Sequence, residues 1–331
     1  MKRWQIIFLL FLIVGTFFIL SNNTPYQKDE GRIFGTSYRI TYKSKKNLKQ
    51  EIESTLDKVN NSLSPFNPAS IISKINNNQE ATPDSMFLYV LQMAQEVSAA
   101  TEGAFDITVA PLVNAWGFGF KQGITPDSAT IDSLKQFIGY RSIAIKEGKI
   151  EKQHPQTMLN CSAIAKGYGC DALAQLFDSK GITDYMIEIG GEISLRGKND
   201  KNTRWVIGIN KPVEESAMTN ELQAILQLTN CCMATSGNYR NFRYIDGVKR
   251  SHTIDPHTGY PVTHSLLSAT VVAKECAYAD ALATAFMVMG QEKAMQFCEQ
   301  HPEIECYLIY ADPEGKLKTS ETAGFKKLLK K

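Results

Sequence analysis

Ser251-His252-Thr253-Ile254-Asp255-Pro256-His257-Thr258-Gly259, followed after an apolar run by Ala279-Asp280-Ala281-Leu282-Ala283-Thr284-Ala285, carries the strongest structural signals in the chain. Residues 266–273 predict a strand that leads into a helix over 275–289, which has few breakers and stops at Gly290. Asp280 and Thr284 stand four residues apart and so share a helix face, and nearly every neighbour is apolar. A carboxylate on a buried helix needs a partner, because an unpaired buried charge is costly. No Lys or Arg lies within a turn of Asp280. One answer is a hard cation, Mg²⁺ before Zn²⁺, held by carboxylate and hydroxyl oxygens. The other is an Asp paired with the helix dipole or with a distant Arg. Position alone leaves both open.

Upstream of this helix the pattern is one of hairpins. Residues 142–145 and 149–151 flank Glu147-Gly148, 185–189 and 192–196 flank Gly190-Gly191, and 239–245 and 248–254 flank Asp246-Gly247. The last of these delivers His252 and Asp255 to a turn fixed by Pro256 and Gly259. Strands over 205–209 and 222–228 are expected to continue the same sheet. A strand over 31–43 bends at Gly35-Thr36, and helices follow over 48–63, from Ser70, and from an Asp84 cap to Ala100. After the Asp280 helix come a helix over 291–300, a strand over 306–310, a turn at Asp312-Pro313-Glu314-Gly315 and a basic tail. Hairpins with helices between them imply an α+β fold with a largely antiparallel sheet.

Two loops carry further signals. Thr101-Glu102-Gly103-Ala104-Phe105-Asp106 with Trp116-Gly117-Phe118-Gly119 forms either a pocket wall, where glycines let backbone approach a flat ligand, or a packed turn. Asn160-Cys161-Ser162-Ala163-Ile164-Ala165-Lys166-Gly167 runs into a helix that ends before Gly181 and suits a phosphate at its N-terminus, although its spacing is not that of a P-loop.

The chain has 331 residues, 43% of them hydrophobic, enough for one large domain or two joined halves. A net charge of +2 argues against a nucleic-acid partner. The seven cysteines are an odd number without a C-x-x-C pair, so they are read as small buried residues and not as a disulfide or zinc framework. Lys2 and Arg3 precede an apolar run over 6–20, with no A-x-A-like cleavage site behind it. The expected organisation is a signal anchor over 1–21 in the cytoplasmic (inner) membrane, a polar tether over 22–31, and an extracytoplasmic (periplasmic) domain over 32–331.

Taken together, Gly35-Thr36, Gly103-Ala104-Phe105-Asp106, Ser162-Ala163-Ile164-Ala165-Lys166-Gly167, Gly190-Gly191-Glu192, Thr235-Ser236-Gly237, His252-Thr253-Ile254-Asp255-Pro256 and the Asp280 motif resemble the ApbE family of FAD:protein FMN transferases, in the same order along the chain. The resemblance implies a T-fold-like α+β core and a Mg²⁺-dependent reaction. In that reaction FAD is split, AMP is released, and FMN is linked through a phosphoester to a Thr or Ser of a partner flavoprotein. It implies that Asp280, Thr284 and the backbone carbonyl of Ala163 hold the metal. It further implies that Phe34, Phe66, Ala104, Phe105, Asp106, Asn160, Lys166 and Ile254 line the FAD site, and that His252 activates the acceptor hydroxyl. Asn160 stands where many members have Asp, and Ala283 where some have another acid. A His of ordinary basicity suits the removal of a proton from a hydroxyl, and Asp255 is positioned in sequence to support it. The alternatives are a metal-dependent FAD pyrophosphatase yielding FMN and AMP, and a non-catalytic flavin-binding protein.

Overall fold

The structure is a computed structural model that describes residues 3–5, 8, 11, 24–119, 125–212, 221–238, 242–245 and 248–330. The anchor expected over 1–21 and the turn at Asp246-Gly247 fall largely or wholly outside these residues. Among the described residues no helix is long and apolar enough to cross a membrane.

Strands β1 (Tyr26–Ile33) and β2 (Thr36–Lys43) pair antiparallel around Phe34 and Gly35, whose φ angles are 52° and 75°. Two successive left-handed residues make a tight hairpin turn, so the bend expected within one strand is a reversal between two. The stretch read as a tether over 22–31 therefore belongs to the sheet from Tyr26 onward. Its charged, mostly exposed residues are those of an edge strand, and this composition mimics a linker. Buried Asp29 pins it by accepting hydrogen bonds from the Tyr42 hydroxyl (2.7 Å) and Asn47 Nδ2 (3.2 Å).

Helix α1 (Lys49–Leu63) buries Ile52, Leu56, Val59 and Leu63, one face of a 3.6-residue repeat. Helix α2 (Ile71–Asn76) is capped by Ser70 and α3 (Ser85–Ala100) by Asp84, each side chain accepting from an N–H in the first turn. Two short helices, α4 (Ala110–Ala115) and α5 (Ser128–Lys135), and the small hairpin β3 (Ile143–Lys146) and β4 (Lys149–Lys152) follow. Next come α6 (Ala165–Ser179), β5 (Tyr185–Ile189), β6 (Glu192–Arg196), β7 (Trp205–Asn210), β8 (Leu222–Leu228) and β9 (Cys231–Gly237). The chain continues through β10 (Phe242–Ile245), β11 (Val248–Ser251), β12 (Leu266–Ala273), α7 (Cys276–Met289), α8 (Gln291–Gln300), β13 (Glu305–Ala311), β14 (Leu317–Glu321) and α9 (Ala323–Leu328).

The main sheet has eight strands in the order β1-β2-β5-β6-β9-β12-β13-β14, with every neighbouring pair antiparallel. Helices α6 and α7 pack on one face of it. On the other face the β7–β8 ribbon packs through Trp205, Ile207 and Ile209 into a core shared with Ile193, Met233, Val272 and Phe325. The ribbon is thus a separate two-stranded sheet and not a continuation of the large one. The basic tail adds β14 and α9, with Phe325 fully buried against the ribbon core. Cys161, Cys170, Cys232, Cys276, Cys298 and Cys306 are buried, Cys231 is half-buried, and all are free thiols.

Candidate active site

Helix α7 is buried along almost its whole length, with Ala279, Ala281, Leu282, Ala283, Ala285 and Phe286 sealed from solvent. Its N-terminus makes no side-chain cap of its own. Asp171 of α6 supplies one across the helix pair, accepting from the backbone N–H groups of Cys276 (2.9 Å) and Ala277 (2.8 Å). Burial pushes the Asp171 carboxyl up to about 7, against the pull of those two donors.

The two helices meet at Gly167, where an added Cβ would lie 2.4 Å from the Cys276 carbonyl oxygen. That approach lets the Gly167 N–H, in the first turn of α6, donate to Asp280 Oδ2 at 3.1 Å. Gly167→Ala is therefore expected to spread the helices and destabilise the protein by about 1–3 kcal/mol, measured by urea unfolding. An unchanged midpoint would show that the contact is not needed.

Asp280 is 2% exposed, and its cationic partner comes from α6. Lys166 Nζ lies 3.7 Å from Asp280 Oδ1 and 2.8 Å from Glu192 Oε1. Spacing around Asp280 gives no sign of this partner, because it is helix pairing that brings Lys166 in from α6. Glu192, also 2% exposed, opens β6 just after Gly190 and Gly191, whose φ angles of 64° and 109° make the β5–β6 turn. Burial pushes the Glu192 carboxyl up; the Lys166 charge opposes the rise and Asp280 adds to it. Burial works against the Lys166 charge, but Asp280 and Glu192 outweigh it and hold the ammonium above its ordinary range. In the sequence only the glycine pair ahead of it marks Glu192; its burial comes with the fold.

One turn further along α7, Thr284 Oγ1 lies 3.1 Å from Ser236 Oγ of β9. Asp280, Thr284, Ala163 and Lys166 all line one cavity of about 1240 Å³. Ala283 is buried in the core beside them and does not reach the cavity. Phe34, Ala104, Phe105, Asp106, Asn160 and Ile254 line the same cavity, as do His252 and Phe66, the latter 67% exposed. Every metal, FAD-site and catalytic residue implied by the family resemblance thus lines one cavity, whereas Asp255 does not.

Several of them also hold their own loops in shape. Asp106 Oδ1 accepts from the Thr108 N–H (2.7 Å) and hydroxyl (2.6 Å), while Oδ2 accepts from the Tyr140 N–H (2.8 Å). Burial raises its carboxyl and these bonds oppose the rise. Asn160 Oδ1 accepts from the Ser162 N–H (2.9 Å), shaping the loop that enters α6. The His252 ring packs edge-on to Phe118, with centroids 6.5 Å apart. Asp255, expected to support His252, instead contacts His257 at Nδ1 (3.1 Å) and accepts its N–H (2.9 Å). His257 Nε2 in turn meets the Glu102 carbonyl at 2.9 Å, so this second histidine ties two loops together.

Among the described residues no group of three or more His, Cys, Asp or Glu side chains is placed to hold a metal ion. The carboxylate and hydroxyl that α7 aims into the cavity form an oxygen-only set suited to a hard cation that takes its remaining ligands from phosphate and water.

The ApbE family model matches residues 34–308. The chain belongs to the ApbE family. A relative from Vibrio cholerae named FAD:protein FMN transferase is 36% identical over 312 residues, covering 91% of this chain and 92% of its own length. Among solved structures of the family, the flavin transferase ApbE from Vibrio cholerae superposes with a TM-score of 0.83 at 34% identity, covering 92% of this chain and 100% of that one. The flavinyl transferase ApbE of Pseudomonas stutzeri in its apo form gives a TM-score of 0.82 at 28% identity, with 92% and 97% covered. The mixed α+β architecture and the antiparallel sheet are thus those of ApbE structures.

Proposed function

We propose that this chain transfers FMN from FAD to a Thr or Ser hydroxyl of a partner flavoprotein, releasing AMP. The observation that carries it is Asp280, Thr284 and Lys166 converging on one cavity with the aromatic and glycine-rich loops. At about 1240 Å³ that cavity exceeds the roughly 300–1,000 Å³ of ordinary small-ligand sites, which leaves room for a dinucleotide and an incoming side chain. Asp280, Thr284 and the Ala163 carbonyl would hold Mg²⁺, which when bound supplies charge neutralisation at the pyrophosphate.

The chain's own residues do the rest. Phe34, Phe105 and Ile254 offer apolar contact to the flavin. Lys166 and the first turn of α6 offer positive potential to the phosphates. His252 accepts the proton of the acceptor hydroxyl as its oxygen bonds to the phosphorus of the FMN half. The bond from that phosphorus to the bridging oxygen breaks, and AMP leaves with that oxygen and the electron pair. The basic and apolar N-terminal sequence supports placing this chemistry outside the cytoplasmic membrane.

The test is intact-mass spectrometry of a candidate acceptor flavoprotein incubated with the full chain in detergent, FAD and Mg²⁺. An acceptor heavier by one FMN phosphoester, with AMP in equal amount, is the expected result. FAD split to FMN and AMP with no adduct on any acceptor would overturn it.

A further inference from the structure

Lys166 is shared unequally between two carboxylates. At 2.8 Å it hydrogen-bonds Glu192 Oε1, whereas 3.7 Å to Asp280 Oδ1 is ion-pair distance without a hydrogen bond. The other Asp280 oxygen, Oδ2, takes the Gly167 N–H. The stem of Lys166 passes beside Gly190, where an added Cβ would come within 3.3 Å of its Cδ. Glu192 has a second oxygen, Oε2, that is buried with no hydrogen-bond partner among the described residues. Such an oxygen is costly, and an acid kept here at that cost serves the contact it does make.

We propose that Glu192 is a positioning residue: it draws the Lys166 ammonium off Asp280 and keeps it over the phosphate-binding loop, so that Asp280 Oδ1 stays open to a divalent cation. This rests on the metal-dependent transfer proposed above and adds a residue to it. Without the Glu192 carboxylate, Lys166 has Asp280 as its nearest anion and competes with the cation for the same oxygen. The two α7 donors would then be fewer by one at the moment a cation needs them.

The experiment is a double-mutant cycle on the full chain in detergent with FAD present, reading Mn²⁺ affinity by electron paramagnetic resonance. Glu192→Gln is expected to weaken Mn²⁺ about tenfold, the scale of one redirected charge-assisted hydrogen bond. Glu192→Asp, which keeps the charge but draws it back by one methylene, is expected to weaken Mn²⁺ in the same direction. In the Lys166→Met background, Glu192→Gln is expected to change Mn²⁺ affinity less than about twofold, because no ammonium is left to collapse onto Asp280. Equal losses from Glu192→Gln in both backgrounds, or wild-type affinity in Glu192→Asp, would overturn the proposal in favour of a general field effect. Should Glu192→Gln fail to fold, Glu192→Asp alone decides between the two. Asp280→Ala separates the levels: if it leaves Mn²⁺ affinity unchanged, the metal site itself is wrong. If it removes binding while both Glu192 variants match wild type, only the positioning role fails.

Discussion

Asp280→Ala is expected to lower covalent flavin incorporation by about a thousandfold, the scale of removing one transition-state charge stabiliser. Excess Mg²⁺ should not restore it, because the lost group is the one carboxylate that α7 presents to the cavity. The fold is expected to survive. Lys166 keeps Glu192 as its 2.8 Å partner, and only the Gly167 N–H loses its acceptor, a cost of about 1–3 kcal/mol. Intact-mass assays run beside thermal melts test both halves. A folded variant that transfers FMN at the wild-type rate would remove the metal from the mechanism. Thr284→Ala should act in the same direction more weakly, since a hydroxyl is a poorer ligand than a carboxylate.

His252→Ala is expected to lower transfer by roughly a hundred- to ten-thousandfold, as loss of a general base does. FAD affinity, read by flavin fluorescence, should change little, since His252 is assigned to the acceptor hydroxyl and not to the dinucleotide. His257→Ala is the paired control. It cuts the link between Asp255 and the Glu102 carbonyl, so it should lower the melting temperature while transfer persists in the folded fraction. If the two histidines gave the opposite pattern, the acceptor-side base would be His257 and the proposed chemistry would need redrawing.

The elements that carry the site were legible where local chemistry is strong. The Asp84 cap, the helix over 48–63, the short helix begun by Ser70, the strand into α7 and the stop at Gly290 are all local signals, and each lies where its sequence expectation put it. What escaped was decided by tertiary contact. Strand β9, Cys231 to Gly237, has no aromatic residue and Thr235 as its one β-branched residue, yet it lies in the sheet between β6 and β12. The β7–β8 ribbon shows the alternation of any half-buried strand pair, and nothing in that alternation says which sheet it joins. Helices α4 and α5 are too short for periodicity to register. Within the site, residue types and motif order pointed to the cavity. The pairings of Lys166 with Glu192 and of Asp255 with His257 could come only from coordinates.

Strand β9 lies at a seam. On one side of it stand β1, β2, β5 and β6, all earlier in the chain; on the other stand β12, β13 and β14, all later. Lys166 and Glu192 come from α6 and β6 in the earlier part of the chain, Ser236 from β9, and Asp280 and Thr284 from α7 in the later part. Neither half owns a working constellation, so competence arrives only when the late strands zip onto the early ones, a closure of high contact order and correspondingly slow. A growing chain should therefore stay inert toward flavin until nearly all of it has been made. Dinucleotide added during refolding should trap the finished state without hastening its formation.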